Sequence, residues 1–99
     1  MESQTDEALF ERYRGGERQA LRTIIDRHHD DLLRFLVRLT GEQAGAEDVF
    51  QEAFLQVHLS ADTFDATRRF RPWLFTIAAN KARDYLRKKG RRLSLIHIS

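Results

Sequence analysis

The sequence predicts an all-α fold, a compact bundle of four helices in which a short first helix and long second, third and fourth helices pack together. Three observations predict it. Gly15-Gly16, Gly41, Gly45, Pro72 and Gly90 punctuate stretches rich in Leu, Ala, Arg, Glu and Phe. No period-two strand alternation appears between these breaks. Apolar residues recur instead at the 3.6-residue spacing of amphipathic helices. The chain of 99 residues suits one domain, and with zero cysteines packing alone must stabilise it.

The first helix is expected from about Asp6 to Arg14, with Thr5 or Asp6 as N-cap, Leu9, Phe10 and Tyr13 at helical spacing, and Gly15-Gly16 as its end. The second, from about Glu17 to Leu39, carries Leu21, Ile24, Ile25, Leu32, Phe35, Leu36 and Leu39 as a stripe that Thr40-Gly41 closes. In the third, from about Ala44 to Leu59, Val49, Phe50, Ala53, Phe54 and Val57 share one arc. Asp48, Gln51, Glu52 and Leu55 share the opposite, acidic one. Ser60 to Arg69 reads as a loop longer than usual helix connections, with Phe64 as its aromatic anchor. The fourth helix starts between Thr67 and Pro72 and runs to about Lys89. Its core arc holds Leu74, Ile77, Ala78, Ala82 and Tyr85. Residues 93–99 fit no earlier pattern and are expected to be a disordered or non-native tail, leaving 1–92 as the domain.

Charge divides along the chain. Residues 1–67 hold seven Lys/Arg against fourteen Asp/Glu, whereas 68–99 hold ten against one. A polyanion suits the basic end and a basic surface the acidic body. The outward arc of the fourth helix carries Trp73, Thr76, Asn80, Arg83, Asp84 and Arg87, and Arg87-Lys88-Lys89-Gly90-Arg91-Arg92 follows. An aromatic face stacks an unpaired base, Asn and Thr hydrogen-bond its edge, and Arg or Lys neutralises phosphate, so this set matches single-stranded nucleic acid. The competing reading packs Trp73 under the loop with Phe64 and Phe70.

Other classes find less support. His28 and His29 diverge by about 100° on a helix and make a poor metal pair. No nucleophile, base and orienter form a set, and glycine-rich phosphate loops are absent, so neither an enzyme nor a cofactor is expected. A metal-dependent hydrolase is accordingly weak. A helical protein-interaction module with a solvated basic tail is the main alternative to nucleic-acid binding. The acidic start lacks the features of a secretory signal and no apolar run approaches about 18 to 20 residues, so the cytoplasm is the expected location, with no membrane association.

Two segments together carry a resemblance. Ala46-Glu47-Asp48-Val49-Phe50-Gln51-Glu52-Ala53-Phe54-Leu55, then Phe70-Arg71-Pro72-Trp73-Leu74-Phe75-Thr76-Ile77-Ala78-Ala79-Asn80 with Asp84-Tyr85-Leu86-Arg87, resemble region 2 of bacterial sigma factors of the extracytoplasmic-function group. The resemblance spans about residues 6 to 92. It implies a transcription initiation module that docks on the clamp helices of the largest subunit of core RNA polymerase through Asp48, Gln51, Glu52 and Leu55. It also implies capture of the non-template strand of the promoter minus-ten element, with a flipped base held under the loop. The DNA-binding residues expected from face and resemblance together are Phe64, Arg68, Arg69, Trp73, Thr76, Asn80, Arg83, Arg87, Lys88, Arg91 and Arg92. An anti-sigma factor is a further candidate partner. The family also carries region 4, a helix-turn-helix that reads the minus-thirty-five element. No segment of these 99 residues supplies it, so half of a sigma factor is expected.

Overall fold

Thr5 starts the first helix, its Oγ1 accepting from the Ala8 N–H at 3.0 Å, and Asp6 and Glu7 place negative charge in the first turn of α1 (Asp6–Arg14). The computed structural model describes residues 4–98, with side chains described to residue 93. After Gly15-Gly16 comes α2 (Arg18–Thr40), which ends where Gly41 adopts φ 81°, a left-handed cap that favours glycine. Then follow α3 (Gln43–Leu59), a short 3₁₀ turn at Ala61–Thr63, and α4 (Phe70–Ile98). Four α-helices are therefore present among the described residues, with α2, α3 and α4 packed against one another and α1 laid mainly on α2.

The core is the sum of the buried faces. Phe10 of α1, Ile24, Leu32 and Leu36 of α2, Val49, Ala53 and Val57 of α3, and Phe70, Leu74 and Ala78 of α4 exclude solvent. Burying each large side chain contributes about 1.5–3 kcal/mol. Close contact of α3 with α4 depends on Gly45, because a Cβ there would overlap the Tyr85 ring and hydroxyl. That hydroxyl donates to Glu42, whose Oε1 also accepts from Lys89 Nζ at 3.2 Å. The carboxyl of Glu42 is accordingly held below its ordinary pKa, first by the Tyr85 hydrogen bond and then by that of Lys89.

Two expectations need correction. The fourth helix does not stop before Gly90 but runs to Ile98, so the backbone of 93–98 is helical rather than a disordered tail; Ser99 lies outside the described residues. A mid-helix glycine costs only about 1 kcal/mol relative to alanine, and the Arg, Lys and Leu residues on both sides are strong helix formers. Leu39, assigned to the apolar stripe of α2, is 40% exposed. The buried line follows Ile24, His28, Leu32, Leu36 and Thr40, at steps of four, and Leu39 falls to its side.

Candidate nucleic-acid and protein interfaces

Thr63, Phe64, Asp65, Arg68, Arg69, Pro72, Trp73 and Thr76 line a depression of about 610 Å³, within the usual range for ligand sites. The segment 60–69 makes its rim. Asp65 holds that segment in shape, its Oδ1 accepting from the Thr67 N–H at 2.9 Å and from the Thr67 hydroxyl at 2.7 Å. These hydrogen bonds keep the Asp65 carboxyl below its ordinary pKa. Phe64 is buried and forms the floor. Arg68, Arg69 and Thr76 are exposed.

Trp73 departs from its expected outward placement. It is half-buried, its ring centroid lying 4.8 Å from Phe64, 5.6 Å from Phe10 and 5.7 Å from Phe70. The helical wheel treats α4 in isolation. In the fold the segment preceding Phe70 returns across the first turn and covers one side of the indole. The alternative of packing with Phe64 and Phe70 is therefore correct for part of the ring, while the rest borders the depression.

A second, smaller hollow of about 320 Å³ continues from Trp73 and Thr63 to Asn80 and Lys81. Arg83 Nη1 donates to Asn80 Oδ1 at 2.8 Å, and Asn80 itself is exposed. Arg83, Arg87 and Arg91 lie further along α4 and are exposed. Lys88 and Arg92 do not join that row. They line a groove of about 290 Å³ between α3 and α4, together with Asp48 and Glu52. The acidic arc of α3 thus borders basic side chains of α4.

Asp48, Gln51, Glu52 and Leu55 are all exposed, as an interface requires. Leu55 is 58% exposed and Leu59, one turn on, 69%. Another concavity, about 850 Å³, lies elsewhere, between the α1–α2 turn and the end of α3, and no α4 residue lines it. Its two rings, Tyr13 and His58, hydrogen-bond each other through the Tyr13 hydroxyl and His58 Nδ1.

Several residues at the site carried no local sequence signal. Glu7 Oε2 accepts the Phe70 N–H at 2.5 Å, placing a carboxylate at the start of α4. Arg14 Nη1 donates to the carbonyls of Phe64 at 2.6 Å and Ala61 at 3.2 Å. His28 is buried, with Nε2 2.8 Å from Asp6 Oδ2 and Nδ1 3.0 Å from Arg71 Nη1. Because Arg71 can only donate, Nδ1 accepts and Nε2 carries the proton. Arg71 also meets Asp31 at 3.2 Å and lies 4.5 Å over the Phe75 ring. No group of three His, Cys, Asp or Glu residues suited to a metal ion occurs among the described residues, and no helix is long and apolar enough to cross a membrane.

Comparison with known proteins gives a consistent picture. The family model described as sigma-70 region 2 matches residues 24–92. The chain is 38% identical over 74 residues to the ECF RNA polymerase sigma factor SigW of Bacillus subtilis, covering 75% of this chain and 40% of that protein. It is 44% identical over 78 residues to the RNA polymerase sigma factor CarQ of Myxococcus xanthus, covering 79% and 45%. The chain thus spans under half the length of these curated relatives. Among solved structures, an engineered region 2 of sigmaE in complex with GTAAAA is similar at TM-score 0.86 and 35% identity, covering 94% of this chain and 97% of that one. CnrH in complex with the cytosolic domain of CnrY is similar at TM-score 0.75 and 31% identity, covering 94% and 61%.

Proposed function

The chain belongs to the sigma-70 region 2 family, and from that premise we propose that it is a transcription initiation module that binds core RNA polymerase and captures the melted minus-ten element. The observation that carries the proposal is the depression between segment 60–69 and the first turns of α4. There an apolar floor at Phe64, the partly open indole of Trp73 and the cations of Arg68 and Arg69 converge on a space suited to an unpaired base and its phosphate. The relative solved in complex with GTAAAA supports a short oligonucleotide of that sequence as a ligand.

Trp73 stacks on a base, Thr76 and Asn80 hydrogen-bond base edges, and Arg68, Arg69, Arg83, Arg87 and Arg91 neutralise phosphates. Lys88 and Arg92 reach the strand from the α3–α4 groove. Extruding a base costs a few kcal/mol of stacking and pairing, which the pocket offsets by holding it. Capture therefore traps the open strand and melts the promoter without covalent chemistry, so no catalytic residue, cofactor or metal takes part. Asp48, Gln51, Glu52 and Leu55 dock on the clamp helices of the largest polymerase subunit, and the module works in the cytoplasm. An anti-sigma factor that covers these faces is a further partner, a reading supported by CnrH bound to the cytosolic domain of CnrY.

Fluorescence anisotropy with labelled GTAAAA, as a single strand and as a duplex, at two salt concentrations tests strand capture. The single strand should bind more tightly, with affinity falling as salt rises. Equal binding of the duplex, or no binding, would overturn the proposal.

A further inference from the structure

We propose that α1 positions the strand-capture loop, with Arg14 and Glu7 as positioning residues that hold its two ends; this rests on the strand-capture reading above. Inside segment 60–69, Ser60 is tied back to α3, its N–H donating to the Gln56 carbonyl at 2.8 Å and its Oγ accepting from Gln56 Nε2 at 2.5 Å, and Asp65 organises the stretch to Arg68. Beyond Ser60 most of the segment is exposed, and its further ties to the bundle come from α1. Arg14 holds the Ala61 and Phe64 carbonyls at the loop's beginning, and its Nε meets Glu11 at 3.1 Å, which fixes the guanidinium in place. Glu7, two turns earlier on α1, accepts the Phe70 N–H at the loop's end. Between them Phe10 is fully buried against Phe64, Phe70 and Trp73, with Phe64 edge-on at 5.4 Å. A third tie passes from Asp6 through His28 to Arg71 in the first turn of α4.

The floor and one wall of the depression, Phe64 and Trp73, therefore both rest on the nine-residue α1 in addition to packing on each other and on Phe70. Neither Arg14 nor Glu7 lines that depression. Releasing Arg14 frees the carbonyl of Phe64 and lets the floor shift. Releasing Glu7 removes the partner of the Phe70 N–H, three residues before Trp73. Either change alters the spacing between floor and wall, and that spacing decides which base fits.

The test measures anisotropy with the full chain and a set of single-stranded hexanucleotides, GTAAAA and its single-base replacements, together with core polymerase affinity and thermal melting. Arg14→Ala and Glu7→Ala should each weaken the best-bound strand by about tenfold. They should also shrink the ratio between best- and worst-bound strands, with core polymerase affinity unchanged. Glu7→Gln keeps an accepting oxygen for the Phe70 N–H and should retain most of the ratio; Arg14→Lys should retain part of it. These conservative variants decide the matter if the alanine variants fail to fold. Wild-type ratios in folded variants, or equal weakening toward every strand, would overturn the positioning role alone. A wild-type chain that binds none of the strands would overturn strand capture itself, and the positioning role with it.

Discussion

Replacing Trp73 by alanine should lower both stability and single-strand affinity, and the two losses can be separated. A fully buried Trp→Ala exchange costs about 3–5 kcal/mol. The indole of Trp73 is half-buried, packed on Phe10, Phe64 and Phe70 on one side and bordering the depression on the other. Half of that range is about 2 kcal/mol, against a total stability of about 5–15 kcal/mol for a domain of this kind. The midpoint of melting should therefore fall by about 10–15 °C while the variant stays folded in the cold. Loss of the stacking face should cost a further ~1–3 kcal/mol of strand affinity. The slope of affinity against salt should stay the same, because a stacked ring releases no counterion. Circular-dichroism melting gives the first loss, and anisotropy well below the melting point, corrected for folded fraction, gives the second. An unchanged melting point would refute the packing of the ring, and normal strand binding by the folded variant would refute its stacking.

Reversing Asp48 and Glu52 together to lysine should weaken core polymerase binding by a few kcal/mol in a pull-down titration, with far-ultraviolet dichroism unchanged because both are exposed. Since both border Lys88 and Arg92, Asp48→Asn with Glu52→Gln separates lost attraction from new repulsion within the groove. Arg87→Ala should reduce affinity similarly for all strands and lower the salt slope by about 0.7 per lost phosphate contact. Asn80→Ala should instead blunt discrimination among bases in the same assay, leaving the salt slope in place. Glu42 has its pKa lowered by Tyr85 and Lys89, so its contribution to stability is present above the ordinary value of 4.5 and is lost as pH falls through the lower folded value. Glu42→Gln should flatten that acid limb in melting curves taken across the range.

Where local chemistry decides the outcome, the sequence was legible. Thr5 caps α1, and Gly41 ends α2 in the one conformation that favours glycine there. Of the α3 arc read from spacing, Val49, Ala53, Phe54 and Val57 are buried, and Phe50 is half-buried at its edge. The acidic arc opposite it is exposed as expected. Legibility ended where distant segments meet. Glu7 and Phe70 are 63 positions apart and Arg14 and Phe64 are 50, and neither pair leaves a periodic trace. The burial of Trp73 depends on a loop that folds over the first turn of α4, which a helical wheel cannot represent. Lys88 and Arg92 belong to the basic run by sequence, yet α3 draws them into its groove. At Gly90 a breaker signal of about 1 kcal/mol was outweighed by its neighbours.

Strand reading by segment 60–69 is tested most directly by selection from a library of single-stranded hexanucleotides, carried out with the wild-type chain and with a chain in which that segment is exchanged for a relative's. In the proposed function docking and base capture use different elements, so the exchanged chain should select a different preferred base while binding core polymerase as before. An unchanged selected sequence would contradict base reading by this segment, and loss of polymerase binding on exchange would show that the segment instead supports the fold.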